Sequence, residues 1–225
     1  MANWEQLNFQ NRYSPLIEQF IFLHDHIISI LTLIIMIVFY ILLILTNKNT
    51  LKTQKENHEL EILWTFIPGV VLILIAFPSL RLLYLSEERE ISPMVIKTIG
   101  HQWYWSYEYP DFKNLEFDSF IALNENLRLL ETDNNTVIPT KTPIQLLISS
   151  TDVLHAWTIP SLGIKADSVP GRLNVVNMLR IKPGLYFGQC SEICGTNHSF
   201  IPISLDIRPL NFFKKWISSQ TFLES

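Results

Sequence analysis

Two stretches of this chain carry no Asp, Glu, Lys or Arg: the first between Asp25 and Lys48, the second between Glu61 and Arg81. Ile27 to Leu45 reads IISILTLIIMIVFYILLIL, with only Ser29, Thr32 and Tyr40 as polar relief. A helix of that length rises about 28 Å, close to the ~30 Å hydrocarbon core of a bilayer. Hydrocarbon offers the backbone no hydrogen bonds, so such a run is confined to a helix. Ile62 to Leu85 is a second span, interrupted by Pro68 and Pro78, which neighbouring groups in a membrane accommodate as kinks. Trp64 and Tyr84 stand near its ends, where interfacial aromatic belts lie.

The expected arrangement is a hairpin: an N-terminal segment over 1–26, a transmembrane helix over 27–45, a loop over 46–61 and a second transmembrane helix over 62–85. Lys48, Lys52 and Lys55 make the loop denser in cations than the flanks, with Arg12, Arg81 and Arg89. Three against three is no decisive bias, but the denser cluster is expected inside, with both termini on the opposite side. The N-terminus lacks the basic n-region of a secretory signal and the Arg-rich amphipathicity of a transit peptide, so the first span is expected to remain in the mature protein. His24, Asp25 and His26 at the start of the first span read as interfacial polar residues.

Residues 86–225 have a different texture. Short β-branched and aromatic runs, such as Val95–Ile99, Gln145–Ser149 and Tyr186–Gln189, alternate with turn signals such as Pro170-Gly-Arg172. They imply an all-β barrel or sandwich. From Pro209 onward, Phe212, Phe213, Trp216 and Ile217 recur at helical spacing, which predicts a short amphipathic helix docked on the barrel. Charged residues make up 17% of the chain, against about 25% in an ordinary soluble domain. The net charge of −4 argues against nucleic acid as a partner, because phosphate binding needs clustered Lys and Arg. A mildly acidic surface suits a cationic partner.

The chemistry concentrates in Cys190-Ser-Glu-Ile-Cys194-Gly-Thr-Asn-His198, with His155 well upstream in Asp152-Val-Leu-His-Ala-Trp157. A histidine on an early strand and a cysteine–histidine loop late in the chain is how copper barrels assemble a site. Thiolate and imidazole select copper or zinc over magnesium or calcium. A mononuclear blue-copper centre uses one Cys, so the second thiol suggests two sulfurs bridging two coppers, each with one imidazole. A Cys2His2 zinc site and a disulfide remain alternatives, although the spacing is not that of a zinc finger. A second feature is His101-Gln-Trp-Tyr-Trp-Ser-Tyr-Glu-Tyr109. As a strand it puts Trp103, Trp105, Tyr107 and Tyr109 on one face, either as a core stripe or as an indole coupling the metal to a docked protein.

At these residues the chain resembles subunit 2 of cytochrome c oxidase in its animal mitochondrial form. The likeness runs through PLIEQFIFLHDH at 15–26, AFPSLRLLYL at 76–85, GHQWYWSYEY at 100–109, RLLETDN at 128–134, DVLHAWTIPSLGIKAD at 152–167, PGRLN at 170–174 and GQCSEICGTNHSFIPI at 188–203. The resemblance implies a two-helix hairpin in the mitochondrial inner membrane, its 46–61 loop in the matrix. It also implies a cupredoxin-like Greek-key barrel over 86–225 in the intermembrane space. Electrons from cytochrome c would enter a binuclear copper centre and leave toward haem in subunit 1, where oxygen is reduced and protons are pumped. Carried over by position, the copper ligands are His155, Cys190, Cys194, His198 and the Glu192 carbonyl, with the Glu192 side chain on a magnesium ion shared with subunit 1. Trp103 matches the point of electron entrance. Asp118, Asp133 and Asp152 match docking acids, with Thr151 standing where the family has a carboxylate. Glu61 matches the mouth of a proton pathway. The family also has a methionine copper ligand where this chain has Ile201; either one copper lacks its weak axial ligand, or an AUA codon is read as isoleucine. The rival reading is a membrane-anchored copper chaperone, which shares the C-x3-C pattern and a distant His. Such chaperones have one membrane helix, a thioredoxin-like domain and the His after the cysteines. A quinol oxidase subunit shares the fold but lacks the thiols.

Overall fold

The computed structural model describes residues 4–47, 56–88, 92–113, 115–123, 126–178 and 182–223. Lys48, Lys52, Lys55 and Arg89, four of the cations behind the expected orientation, lie outside the described residues. Gln19–Glu87 forms one compact unit, and the remainder of the described chain forms another.

Helix α1 runs Pro15–Asn47 and α2 runs His58–Glu87. Both are longer than the apolar runs that reveal them, and capping chemistry rather than hydropathy sets their N-terminal ends. Ser14 accepts a hydrogen bond from Ile17 N at 3.2 Å, Pro15 sits where a missing N–H costs nothing, and Glu18 meets the positive end of the helix. Asn57 does the same for α2, accepting Leu60 N at 3.1 Å, with Glu59 and Glu61 in the first turn. Glu61 is therefore helical rather than part of the loop, and His24, Asp25 and His26 lie within α1. Phe22, Ile35, Phe66, Leu72 and Phe77 point outward, a surface suited to lipid tails or partner helices. Pro78 has no N–H, so the Leu74 carbonyl four residues earlier lacks its helical donor. His26 Nε2 lies 3.2 Å from that carbonyl and satisfies it. The polar cluster at the start of the first span thus has one member with a defined structural task.

The second unit holds ten strands: β1 Met94–His101, β2 Tyr104–Glu108, β3 Glu116–Ser119, β4 Thr136–Pro139, β5 Ile144–Ser150, β6 His155–Ile159, β7 Ile164–Ser168, β8 Asn174–Met178, β9 Gly184–Gln189 and β10 Pro202–Arg208. They form a five-stranded sheet in the order β3-β2-β1-β5-β8, a three-stranded sheet β4-β10-β9 and the β6-β7 pair. The β1–β5 and β4–β10 pairings are parallel and the others antiparallel. Period-two alternation sends Ile96 from β1 and Leu146 and Ile148 from β5 inward, while β6 is buried along its whole length. Gly188 on β9 lies so close to β6 that a Cβ there would overlap the Thr158 carbonyl.

Two expectations need correction. Trp103 is not part of the strand that carries Trp105 and Tyr107 and ends just before Tyr109: β2 begins at Tyr104, and Trp103 sits in the preceding turn, packed against the edge of the same core. Trp105, Tyr107 and Tyr109 are core residues, and only Trp103 is half-exposed. Helix α3, Leu210–Leu223, docks through Phe213 and Trp216, the latter 5.6 Å from the Tyr109 ring. Phe212 turns outward instead, with the Arg208 guanidinium 5.1 Å from its ring.

Candidate metal centre

His155 opens β6 with no exposed surface, and Gly100 on β1 makes room for its ring: a Cβ at Gly100 would stand 2.9 Å from His155 Cδ2. Cys190 follows β9 directly, and its N–H donates to the Ile201 carbonyl at 3.0 Å, closing the loop that joins β9 to β10. Ser191 N donates to the Ala156 carbonyl at 3.1 Å, holding the start of that loop against β6. Each thiol then meets its own imidazole. Cys190 Sγ lies 3.8 Å from His155 Nδ1, and Cys194 Sγ lies 3.5 Å from His198 Nδ1. The donor atoms of His155, Cys190 and Cys194 fall within 4.8 Å of one another, while His198 stands outside that group, against Cys194. The Cys190 thiol also meets the Glu192 carbonyl, at 3.4 Å.

Both cysteines are free and buried. Burial pushes the Cys190 thiol up, but the His155 hydrogen bond and contacts with Glu192 and Ala156 outweigh it, leaving Cys190 below the usual thiol range. Burial, joined by the charge on Cys190, holds Cys194 above that range. Burial disfavours protonated His155, yet its bonds to Cys190 and Asp152 raise it overall. Two buried sulfurs between two imidazoles, flanked by a carbonyl, fit a soft or borderline metal pair and not a hard cation. Ile201 is buried and wholly apolar, so it contributes its carbonyl to Cys190 and no side-chain donor.

Asp152 proves to be more than a surface charge. Its Oδ1 accepts from His155 Nε2 at 2.9 Å and from Val153 N at 2.6 Å, and its Oδ2 accepts from Gln102 N at 2.6 Å. Burial opposes its charge, but the bonds from His155, Val153 and Gln102 hold its carboxyl below the usual range. A carboxylate on the far nitrogen of a ligating histidine fixes the tautomer that turns Nδ1 toward the metal. Asp118 is exposed, and Asp133 is exposed but accepts Phe120 N at 2.8 Å and Asn134 N at 2.7 Å. Glu192 is half-buried in the loop. Glu61 lies in the other unit, beside His58 Nδ1 at 3.4 Å, in a groove with Thr65, Phe66 and Gly69. Sequence reasoning missed the Asp152–His155 pairing, whose signal was the D-x-x-H spacing. It also missed the roles of Gly100 and Gln102, which no local pattern marks.

Residues 94–207 match the family described as cytochrome c oxidase subunit II, periplasmic domain, and residues 2–82 match its transmembrane domain. Cytochrome c oxidase subunit 2 of Aedes aegypti is 53% identical over 226 residues, covering 98% of this chain and 99% of the relative. The chain belongs to the cytochrome c oxidase subunit II family. The Simulium vittatum protein is 51% identical over 225 residues, covering 97% and 98%. The crystal structure of the periplasmic domain of subunit II from Bradyrhizobium japonicum is 41% identical with a TM-score of 0.56, covering 58% of this chain and 94% of that one. Two apolar helices, a cupredoxin-like β domain and a short C-terminal helix are thus the family architecture. Members are electron-transfer subunits of an oxidoreductase, and this chain is a membrane-anchored one with a soluble domain that carries a copper-compatible donor set.

Proposed function

We propose that this chain takes electrons from reduced cytochrome c and delivers them toward haem in subunit 1 of a mitochondrial oxidase. The observation that carries the reading is the pairing of two free buried thiols with two imidazoles at one end of a cupredoxin-like barrel. His155, Cys190, Cys194, His198 and the Glu192 carbonyl would hold two coppers, which supply one-electron exchange when bound. The Glu192 side chain would turn to a magnesium ion shared with subunit 1.

Everything else is the work of the chain's own residues. Asp118 and Asp133 present negative charge that steers a basic haem protein, an influence that salt screens. Asp152 lends its charge to the same face while orienting His155. Trp103, the entrance for electrons on this reading, lies against the cysteine loop: a Cβ on Gly195 would meet its Nε1 at 3.2 Å. Glu61, in the first turn of α2, would stand at the mouth of a proton pathway serving subunit 1. The bilayer surrounds α1 and α2. In the inner membrane, the barrel and both termini would face the intermembrane space and the segment joining α1 to α2 the matrix. A copper chaperone is disfavoured by the β-sandwich and by histidines on both sides of the cysteines.

Stopped-flow oxidation of reduced cytochrome c by the intact oxidase tests the reading. The association rate should fall with ionic strength, and Asp118→Asn with Asp133→Asn should flatten that dependence. A salt-independent rate, or a dependence unchanged in the double variant, contradicts it.

A further inference from the structure

The turn that carries Trp103 is fastened to both halves of the metal centre through the residue beside it. Gln102 N donates to Asp152 Oδ2 at 2.6 Å, and the other oxygen of the same carboxylate accepts from the ligand His155 at 2.9 Å. The Gln102 side chain reaches the opposite way, its Nε2 donating to the Cys194 carbonyl at 2.7 Å. One residue therefore joins the strand histidine to the loop cysteine, across a sequence separation of 92 to Cys194. Gly195 completes the arrangement. Its φ is +128°, and a Cβ there would stand 3.2 Å from Gln102 Nε2, 3.2 Å from Trp103 Nε1 and 3.3 Å from Trp103 Cζ2. A Cβ there would press both side chains back by a few tenths of an ångström, and glycine adopts that backbone conformation freely.

The indole contributes no polar anchor of its own, because Trp103 Nε1 is buried without a hydrogen-bond partner. Its position depends on shape and on its neighbour. We infer that Gln102 is a positioning residue, a clamp that sets the Trp103 indole against the Cys194–Gly195 segment. Its backbone N–H orders the His155 side and its amide orders the Cys194 side. The inference rests on the reading of Trp103 as the place where electrons enter. A clamp of this kind supplies preorganisation, so an indole freed from it should slow the step it mediates.

The test uses the intact oxidase with Gln102→Leu, which keeps the apolar bulk and removes the amide, alongside Trp103→Phe. Electron transfer within the preformed complex with cytochrome c, the salt dependence of association and copper per chain are measured together. The clamp requires Gln102→Leu to slow the intracomplex step by at least about tenfold, with association and copper content within twofold of the parent. A merely structural role would lower heat stability or copper content and leave the rate per copper intact; that result overturns the inference. If Trp103→Phe slows transfer and Gln102→Leu does not, the entrance reading stands and the clamp is wrong. If both are silent, the entrance reading fails as well. Gly195→Ala supplies the independent variant should Gln102→Leu not assemble. It keeps the amide but drives the loop off Gln102 and Trp103, and it must slow the same step with copper retained; an unchanged rate overturns the clamp.

Discussion

The hairpin and the barrel solve opposite problems. In the hairpin nearly every side chain is apolar and outward, so the few polar contacts, such as His26 with the Leu74 carbonyl, repair the backbone. In the barrel the apolar side chains are inward and the polar ones are spent on placing donors around the thiols. The comparison teaches that polarity is informative in each region where it is scarce: one histidine in α1, and a handful of buried groups beside Cys190.

The sharpest way to break that contrast is Cys190→Ser. Removing one of the two thiols that would hold the copper should abolish the copper signal and lower electron transfer from cytochrome c by more than about a hundredfold, beyond the cost of losing an outer hydrogen bond. Hairpin insertion should be untouched, as read by membrane extraction. Gly188→Ala comes next, because its Cβ has nowhere to go but into the Thr158 carbonyl. Overpacking of this kind should cost about 3 kcal/mol in thermal unfolding of the β domain.

Asp152→Asn separates docking from positioning. It should weaken copper binding about tenfold by titration against a chelator. Asp118→Asn, at an exposed site, should change only the salt-dependent association rate. In the metal-free protein the sign of the pH effect follows from the two shifts. The Asp152 carboxyl is depressed, so its contribution is present above the ordinary carboxylate range and is lost as pH falls through its folded value. His155 is raised, so its contribution is full below the ordinary histidine range and is lost as pH rises through its folded value. The pair should therefore add most to unfolding stability between about pH 4 and pH 6.5, and Asp152→Asn should remove that maximum.

How much of this was legible in the sequence divides along the same line. Both spans and the cysteine–histidine loop were plain, the first from missing charge and the second from donor spacing. The starts of α1 and α2 were not, because Ser14 and Asn57 set them by capping, outside the apolar runs. Period-two alternation found the core stripe through Trp105, Tyr107 and Tyr109 but wrongly included Trp103, since a turn resets the period. Gln102, Gly100 and Gly195 could not be read locally, because what each does depends on a segment distant in sequence.

The smallest expected effect lies in the hairpin. His26→Ala should destabilise it by about 0.6 kcal/mol, the typical worth of a polar contact between membrane helices. In a Pro78→Ala background, where Leu74 regains a backbone donor, the same change should cost nothing; an equal cost in both backgrounds would show that His26 acts some other way.

The central claim is that Cys190 and Cys194 hold a copper pair between His155 and His198. Electron paramagnetic resonance of the intact protein, with metal analysis on the same sample, tests it most directly. Two coppers per chain are expected, with one unpaired electron shared equally between two copper nuclei. Zinc in the site, or the hyperfine pattern of a single copper, would contradict it.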